Sequence, residues 1–140
     1  MHAHTNELGS LEKYDTDALA HIKNPRDIFV TIKNPHTDAD YLVTNTIHEF
    51  TSLCPVTGQP DFAVFTIETT PDELLIELKS LKLYMLSYRN KGVFHEAVTG
   101  AIAKDIIAAI APRFLRVTGD FTIRGGISTK VVFEHKKGQA

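Results

Sequence analysis

Apolar and polar positions keep a two-residue period through the first half of this 140-residue chain, take up a helical period in the middle, and alternate again near the end. Asp27 to Lys33 is a short β-rich run. Tyr41 to Leu53, dense in Thr, Val, Ile and Phe, predicts a longer strand, and Asp61 to Thr69 predicts its antiparallel partner. The turn-rich stretch 55–60 joins them, and Pro71 closes the second. Leu74, Leu78, Leu81, Met85 and Tyr88 then recur at helical spacing. Asn90, Lys91 and Gly92 break that helix. A second helix is expected from about Val93 to Ala111, with Phe94, Val98, Ile102, Ile106 and Ile110 on one stripe and Pro112 as its stop. Leu115, Val117, Phe121 and Ile123 alternate with Arg116, Thr118, Asp120 and Thr122, as in a half-buried strand. Gly125-Gly126 turns the chain, and Ile127 to Glu134 returns.

The resulting order is strand pair, two helices, strand pair. It predicts an α+β fold, with one antiparallel sheet carrying both helices on one face. The edge strand of such a sheet must be covered or paired, and a neighbouring subunit is an economical partner. Residues 1–26 read as a loosely ordered arm, 27–135 as one domain and 136–140 as a tail.

Composition narrows the setting. The chain is 43% hydrophobic and 23% charged, as expected of an ordinary globular protein, and its net charge of −2 makes no electrostatic case for nucleic acid or an acidic membrane. No run approaches the roughly 18 apolar residues of a membrane span. The N-terminus, with His2 and His4, is polar and lacks a signal-peptide core. One cysteine and no export signal point to a reducing cytoplasm.

That cysteine, Cys54, stands where the second strand opens into Pro-Val-Thr-Gly-Gln-Pro, with Asp61 across the turn. A thiol at a strand end beside an acid suits a nucleophile with a proton donor; a small buried hydrophobe is the alternative. Glu96, behind Phe94 and His95, falls in the first turn of a helix, where the macrodipole favours a carboxylate. A carboxylate also accepts two parallel N–H bonds, such as those of a 2-amino-pyrimidin-4-one edge. His95 offers a further polar contact or a proton near neutral pH. In Glu77-Leu-Lys-Ser-Leu-Lys-Leu-Tyr84 the leucines serve the core, and Lys79 and Lys82 belong either to a solvated face or, with Arg124, to a phosphate site. The chain has no G-x-G-x-x-G and no Walker loop, so any dinucleotide is held by side chains, at a subunit border.

These segments, in this order, resemble the nitrile reductase family that converts 7-cyano-7-deazaguanine to its aminomethyl form in queuosine biosynthesis, a tRNA modification pathway. The likeness runs from about Asn24 to His135. It rests on Glu49-Phe-Thr-Ser-Leu-Cys54-Pro-Val-Thr-Gly-Gln-Pro-Asp61-Phe, on Glu77 to Tyr84, on Phe94-His95-Glu96 and on Arg124-Gly125-Gly126. The resemblance implies the tunnelling fold shared with GTP cyclohydrolase I, in a homo-oligomeric ring with active sites between subunits. It leaves open whether two pentamers stack. It makes Cys54 the nucleophile that forms a covalent thioimide and Asp61 the general acid. Glu96, His95, Phe94, Glu77 and Ser80 are then substrate contacts. Lys79, Ser80, Lys82, Tyr84, Arg124 and Gly125 are then contacts of NADPH, two of which are consumed per turnover without metal or flavin. Leu78 stands at a position that varies between serine and leucine, and it receives no polar role.

Two other readings compete. A pterin or purine enzyme of the same fold group would use Glu96 in the same way. Its metal-dependent members need several Cys or His ligands, and His21, His36, His48 and His135 are scattered around a single cysteine. A binding module without catalysis would tolerate loss of Cys54.

Overall fold

The computed structural model describes Leu19 and residues 22–139. Most of the arm expected over 1–26 lies outside the described residues. A 3-10 turn, Pro25–Ile28, leads to strand β1 (Thr31–Lys33), followed by β2 (Val43–Leu53), β3 (Pro60–Thr70), β4 (Leu74–Ile76), helix α1 (Leu78–Leu86), helix α2 (His95–Ile110), β5 (Phe114–Arg124) and β6 (Ile127–Lys136). The four long strands form one antiparallel sheet in the order β2-β3-β5-β6, and β1 and β4 form a separate antiparallel pair.

Alternation decides which face each strand buries. Phe65, Ile67, Leu115, Val117 and Phe121 turn inward and are buried. The opposite face carries Phe62, Val64 and Val132, all exposed, and the Arg116–Glu68 and Arg116–Glu134 ion pairs. Phe50 and Phe65 meet edge to face at 4.6 Å, and Phe65 and Phe121 at 5.7 Å. A register shift between Ile47 and Phe50 in the β2–β3 pairing re-aims the end of β2. On the inner face, α2 packs Val98, Ile102, Ala103, Ile106 and Ile110, all buried. Ala111 ends α2 in the left-handed region (φ 42°), its N–H donating to the Ile107 carbonyl, and Pro112 follows.

Two expectations need correction. Asp27 and Ile28 lie in the 3-10 turn, so the first strand shrinks to Thr31–Lys33, and it pairs with β4 instead of joining the main sheet. Leu74 has the spacing of the helical stripe, yet it sits in β4 opposite Lys33. Three consecutive apolar residues, 74–76, fill that ladder, and Glu77 then caps the helix from an extended backbone (φ −69°, ψ 134°). At the other end, the strand runs on to Lys136, and Lys137 binds Asp72 at 2.6 Å.

Candidate active site

The β2–β3 hairpin ends in the pair Leu53–Pro60, and the loop 54–59 crosses between them. Cys54 N–H donates to the Gln59 carbonyl at 2.8 Å, and Gly58 N–H to the Cys54 carbonyl at 2.9 Å. This tight closure turns the following amides toward the thiol. The Thr57 hydroxyl, then the Thr57 and Val56 N–H groups, and the Arg124 side chain all hydrogen-bond the sulfur, and together they lower its pKa from the ordinary value to about 7. Donors of this kind favour the thiolate over the thiol.

Asp61 is the second residue of β3 and is only 7% exposed. Its Oδ1 lies 3.1 Å from Arg124 Nη1, and its Oδ2 lies 3.5 Å from His95 Nε2. Arg124 ends β5 and also donates to Gln59 Oε1 at 3.3 Å. One guanidinium therefore touches the thiol, the acid and the loop between them. His95 opens α2 and stacks flat on Phe121, centroids 3.8 Å apart at 12°. The chain enters α2 beside the hairpin because Leu53 N–H donates to the Lys91 carbonyl at 2.9 Å and Val93 N–H to the Leu53 carbonyl at 3.0 Å. Between them, Gly92 approaches so closely that a Cβ there would lie 3.1 Å from Pro55 Cα.

Cys54, Asp61, His95 and Arg124 thus converge on one spot. Glu96, next along α2, is exposed, and its carboxylate makes no hydrogen bond or ion pair with a described residue. Phe94 is 58% exposed beside it. An unspent carboxylate and an open ring at the mouth of a reactive-thiol site are suited to a flat, polar-edged ligand.

The Glu77–Tyr84 segment divides differently. Glu77 spends both carboxylate oxygens on α1, accepting from Lys79 N–H at 2.8 Å and Ser80 N–H at 2.9 Å. Ser80 is buried, accepts from Val30 N–H at 2.9 Å and donates to the Glu77 carbonyl at 2.7 Å. Tyr84 is wholly buried, stacked on Phe29 at 4.2 Å, and its hydroxyl donates to Asp105 at 2.6 Å. Its partner Tyr88 has its pKa pushed up to about 12, mainly by burial. Within the chain, Glu77, Ser80 and Tyr84 therefore serve cap and core. Lys79 and Lys82 are exposed, one helical step apart. Lys82 lines a groove of about 320 Å³ with Leu78, Asn45, Ile47 and Glu49. The two ammonium groups and the open groove are a donor set that fits the phosphates of a dinucleotide. Gly125 (φ 58°) and Gly126 (φ 78°) make the β5–β6 turn, a conformation that glycine takes without strain.

These basic residues do not join the thiol. At about 3.3 Å per residue, Ile47 on the groove lies roughly 20 Å along β2 from Cys54. Two residues received no role in the sequence reading. Thr57 is signalled only by a hydroxyl three residues after the cysteine in a tight turn. Ser52 is signalled by a polar residue at an inward-facing position. Among the described residues no three His, Cys, Asp or Glu side chains gather as a metal-ligand set, and no helix is long and apolar enough to cross a membrane.

Comparison with known proteins finds relatives of this chain. Residues 60–140 match the family model described as QueF-like protein. A protein of Nitrosomonas eutropha named NADPH-dependent 7-cyano-7-deazaguanine reductase is 57% identical over 107 residues, covering 76% of this chain and 77% of that one. One of the same name from Syntrophus aciditrophicus is 54% identical, covering 76% of each. The crystal structure of an apo archaeosine synthase QueF-Like superposes with a TM-score of 0.65, covering 73% of this chain and 99% of that one at 24% identity, a likeness of fold.

Proposed function

The chain belongs to the QueF-like protein family, and from that premise we propose that it reduces the nitrile of 7-cyano-7-deazaguanine to the primary amine with NADPH. The observation that carries the proposal is the Cys54 sulfur, held in a cluster of donors beside Asp61 and His95.

A nitrile carbon is a poor hydride acceptor. The Cys54 sulfur adds to it, forming the S–C bond and leaving a thioimide, which accepts hydride more readily. One proton must reach the nitrile nitrogen in that step. Cys54 and Asp61 together need to hold only that proton: if the thiol carries it, Asp61 relays it, and if Asp61 carries it, the thiolate attacks directly. His95, pinned on Phe121, shares the edge of Asp61 that faces the incoming nitrogen. Glu96 accepts the paired N–H groups of the deazaguanine, and Phe94 covers the ring. NADPH would supply hydride twice: after the first, the S–C bond breaks and returns the Cys54 thiolate, leaving an imine that the site shields from water, and the second hydride with a proton completes the amine. Lys79 and Lys82 hold the cofactor phosphates as point charges.

The separation of those lysines from Cys54 supports a ring in which a neighbouring protomer supplies them, and a tunnelling fold provides the open β2 and β6 edges for such closure. A cytoplasmic setting follows from the reducing conditions the thiol needs.

Intact mass after mixing with the nitrile alone tests the reading. Wild type is expected to gain one whole substrate, Cys54→Ala none, and NADPH is expected to erase the gain. A wild type that stays unmodified, with NADPH unconsumed, refutes the reductase assignment.

A further inference from the structure

Ser52 is wholly buried, and its Oγ has no hydrogen-bond partner among the described residues. Buried hydroxyls without partners are rare, because each forgoes its bond to water. Ser52 lies directly opposite Asp61 in the β2–β3 register. Paired residues in an antiparallel ladder project on the same face, their Cβ atoms about 5 Å apart. Both are buried, so the two side chains share one inward face of the ladder, the hydroxyl not bonded to the carboxylate but a rotamer away from it.

The partners of Asp61 define what is missing. Arg124 Nη1 occupies Oδ1 at 3.1 Å, and His95 Nε2 stands off Oδ2 at 3.5 Å, too far for a strong bond. Cys54 is on the rim, sharing Arg124. When the acid gives its proton to a substrate nitrogen, new charge falls on a side chain whose close donor among the described residues is a guanidinium already divided among three groups. A hydroxyl can both donate and accept, so Ser52 is able to follow Asp61 through either protonation state. Being sealed from solvent, it acts through Asp61 and not on the ligand.

We propose that Ser52 is a positioning residue for the proton transfer, its hydroxyl holding the Asp61 carboxylate as the thioimide forms. This rests on the reductase reading. It gives a role to a polar side chain at an inward position that otherwise bonds nothing among the described residues.

The test is the rate of thioimide formation against nitrile concentration in wild type, Ser52→Ala and Ser52→Thr, with thermal unfolding of each. In Ser52→Ala the rate at saturation is expected to fall about tenfold, the loss of one bond to a charged group. Half-saturation should stay unchanged and the unfolding midpoint should not drop. Ser52→Thr, which keeps the hydroxyl, should recover most of the rate. A Ser52→Ala protein that is folded and as fast as wild type overturns the proposal and leaves the reductase reading intact. Equal slowing in both variants, or a slowing matched by a lower unfolding midpoint, reduces Ser52 to a packing role and also overturns it. A wild type that forms no adduct removes both readings.

Discussion

At the scale of the residue, the site is a problem of favouring the thiolate with hydrogen-bond donors from its own turn and from Arg124. The strongest aid to the Cys54 thiolate is the Thr57 hydroxyl, ahead of the backbone donors and Arg124. A free cysteine titrates near 8.5, so alkylation of Cys54 by iodoacetamide is expected to follow a pH midpoint close to 7. Thr57→Val keeps the volume and removes the donor, and its midpoint should rise toward the free value; an unchanged midpoint would leave the backbone amides and Arg124 as the cause. The sign for stability follows. A depressed thiol pKa favours the folded state fully above the unfolded value, and that contribution is lost as pH falls through about 7. Cysteine beside a turn, with Asp61 across it and Glu96 at a helix start, was legible from residue types and spacing. The Thr57 bond and the unpartnered Ser52 were not, because both depend on which way a particular rotamer and register point. Tyr84 stands the other way: a polar tip in a signature segment reads as a ligand contact, and in this protomer its hydroxyl donates to Asp105.

The elements were legible where their period was long. The four long strands and α2 fall where alternation and the 3.6-residue stripe put them. The short pieces did not, because a three-residue strand carries no period of its own. β1 and β4 exist through each other, by the ladder Thr31–Ile76 to Lys33–Leu74. The connection between α1 and α2 does the positioning work of the fold, laying Lys91 to Val93 along Leu53 so that His95 arrives over Asp61. Gly92 makes that approach possible, since a Cβ would meet Pro55 Cα at 3.1 Å. Gly92→Ala should therefore push the Cys54 loop outward by a few tenths of an ångström. Misplacement of a reacting group lowers rate steeply, so adduct formation should slow severalfold while thermal stability changes by about 1 kcal/mol or less. Normal adduct kinetics in that variant would show that the loop yields freely and that the bridge to Leu53 is not what sets the thiol.

Over the whole molecule, a single protomer does not bring all of the candidate site residues together. The thiol, Asp61, His95 and Arg124 gather at one end of β2, whereas Lys79 and Lys82 stand at the N-terminal end of α1 beside a groove near the middle of that strand. Along α1, about 10 Å from Lys79 and about 6 Å from Lys82 separate those lysines from the helix end that leads to the 91–93 bridge. The sequence places all these residues in a familiar order, but order along a chain says nothing about which copy meets which, and this is why the site was only half readable. If the cofactor lysines of one protomer serve the Cys54 of its neighbour, two inactive variants should complement. Cys54→Ala lacks the nucleophile and keeps the lysines; the double variant Lys79→Ala/Lys82→Ala does the reverse. Each alone is expected to have little or no NADPH oxidation. Co-expressed in equal amounts and assembled at random, half the sites take an intact cysteine and half of those an intact pair of lysines, so roughly a quarter of wild-type activity should return in a ring built from head-to-tail contacts. Recovery confined to preparations whose native mass shows mixed oligomers assigns the site to the subunit border. No recovery from verified mixed oligomers would place cysteine and lysines in one protomer, and would require α1 to move toward the hairpin when the cofactor binds.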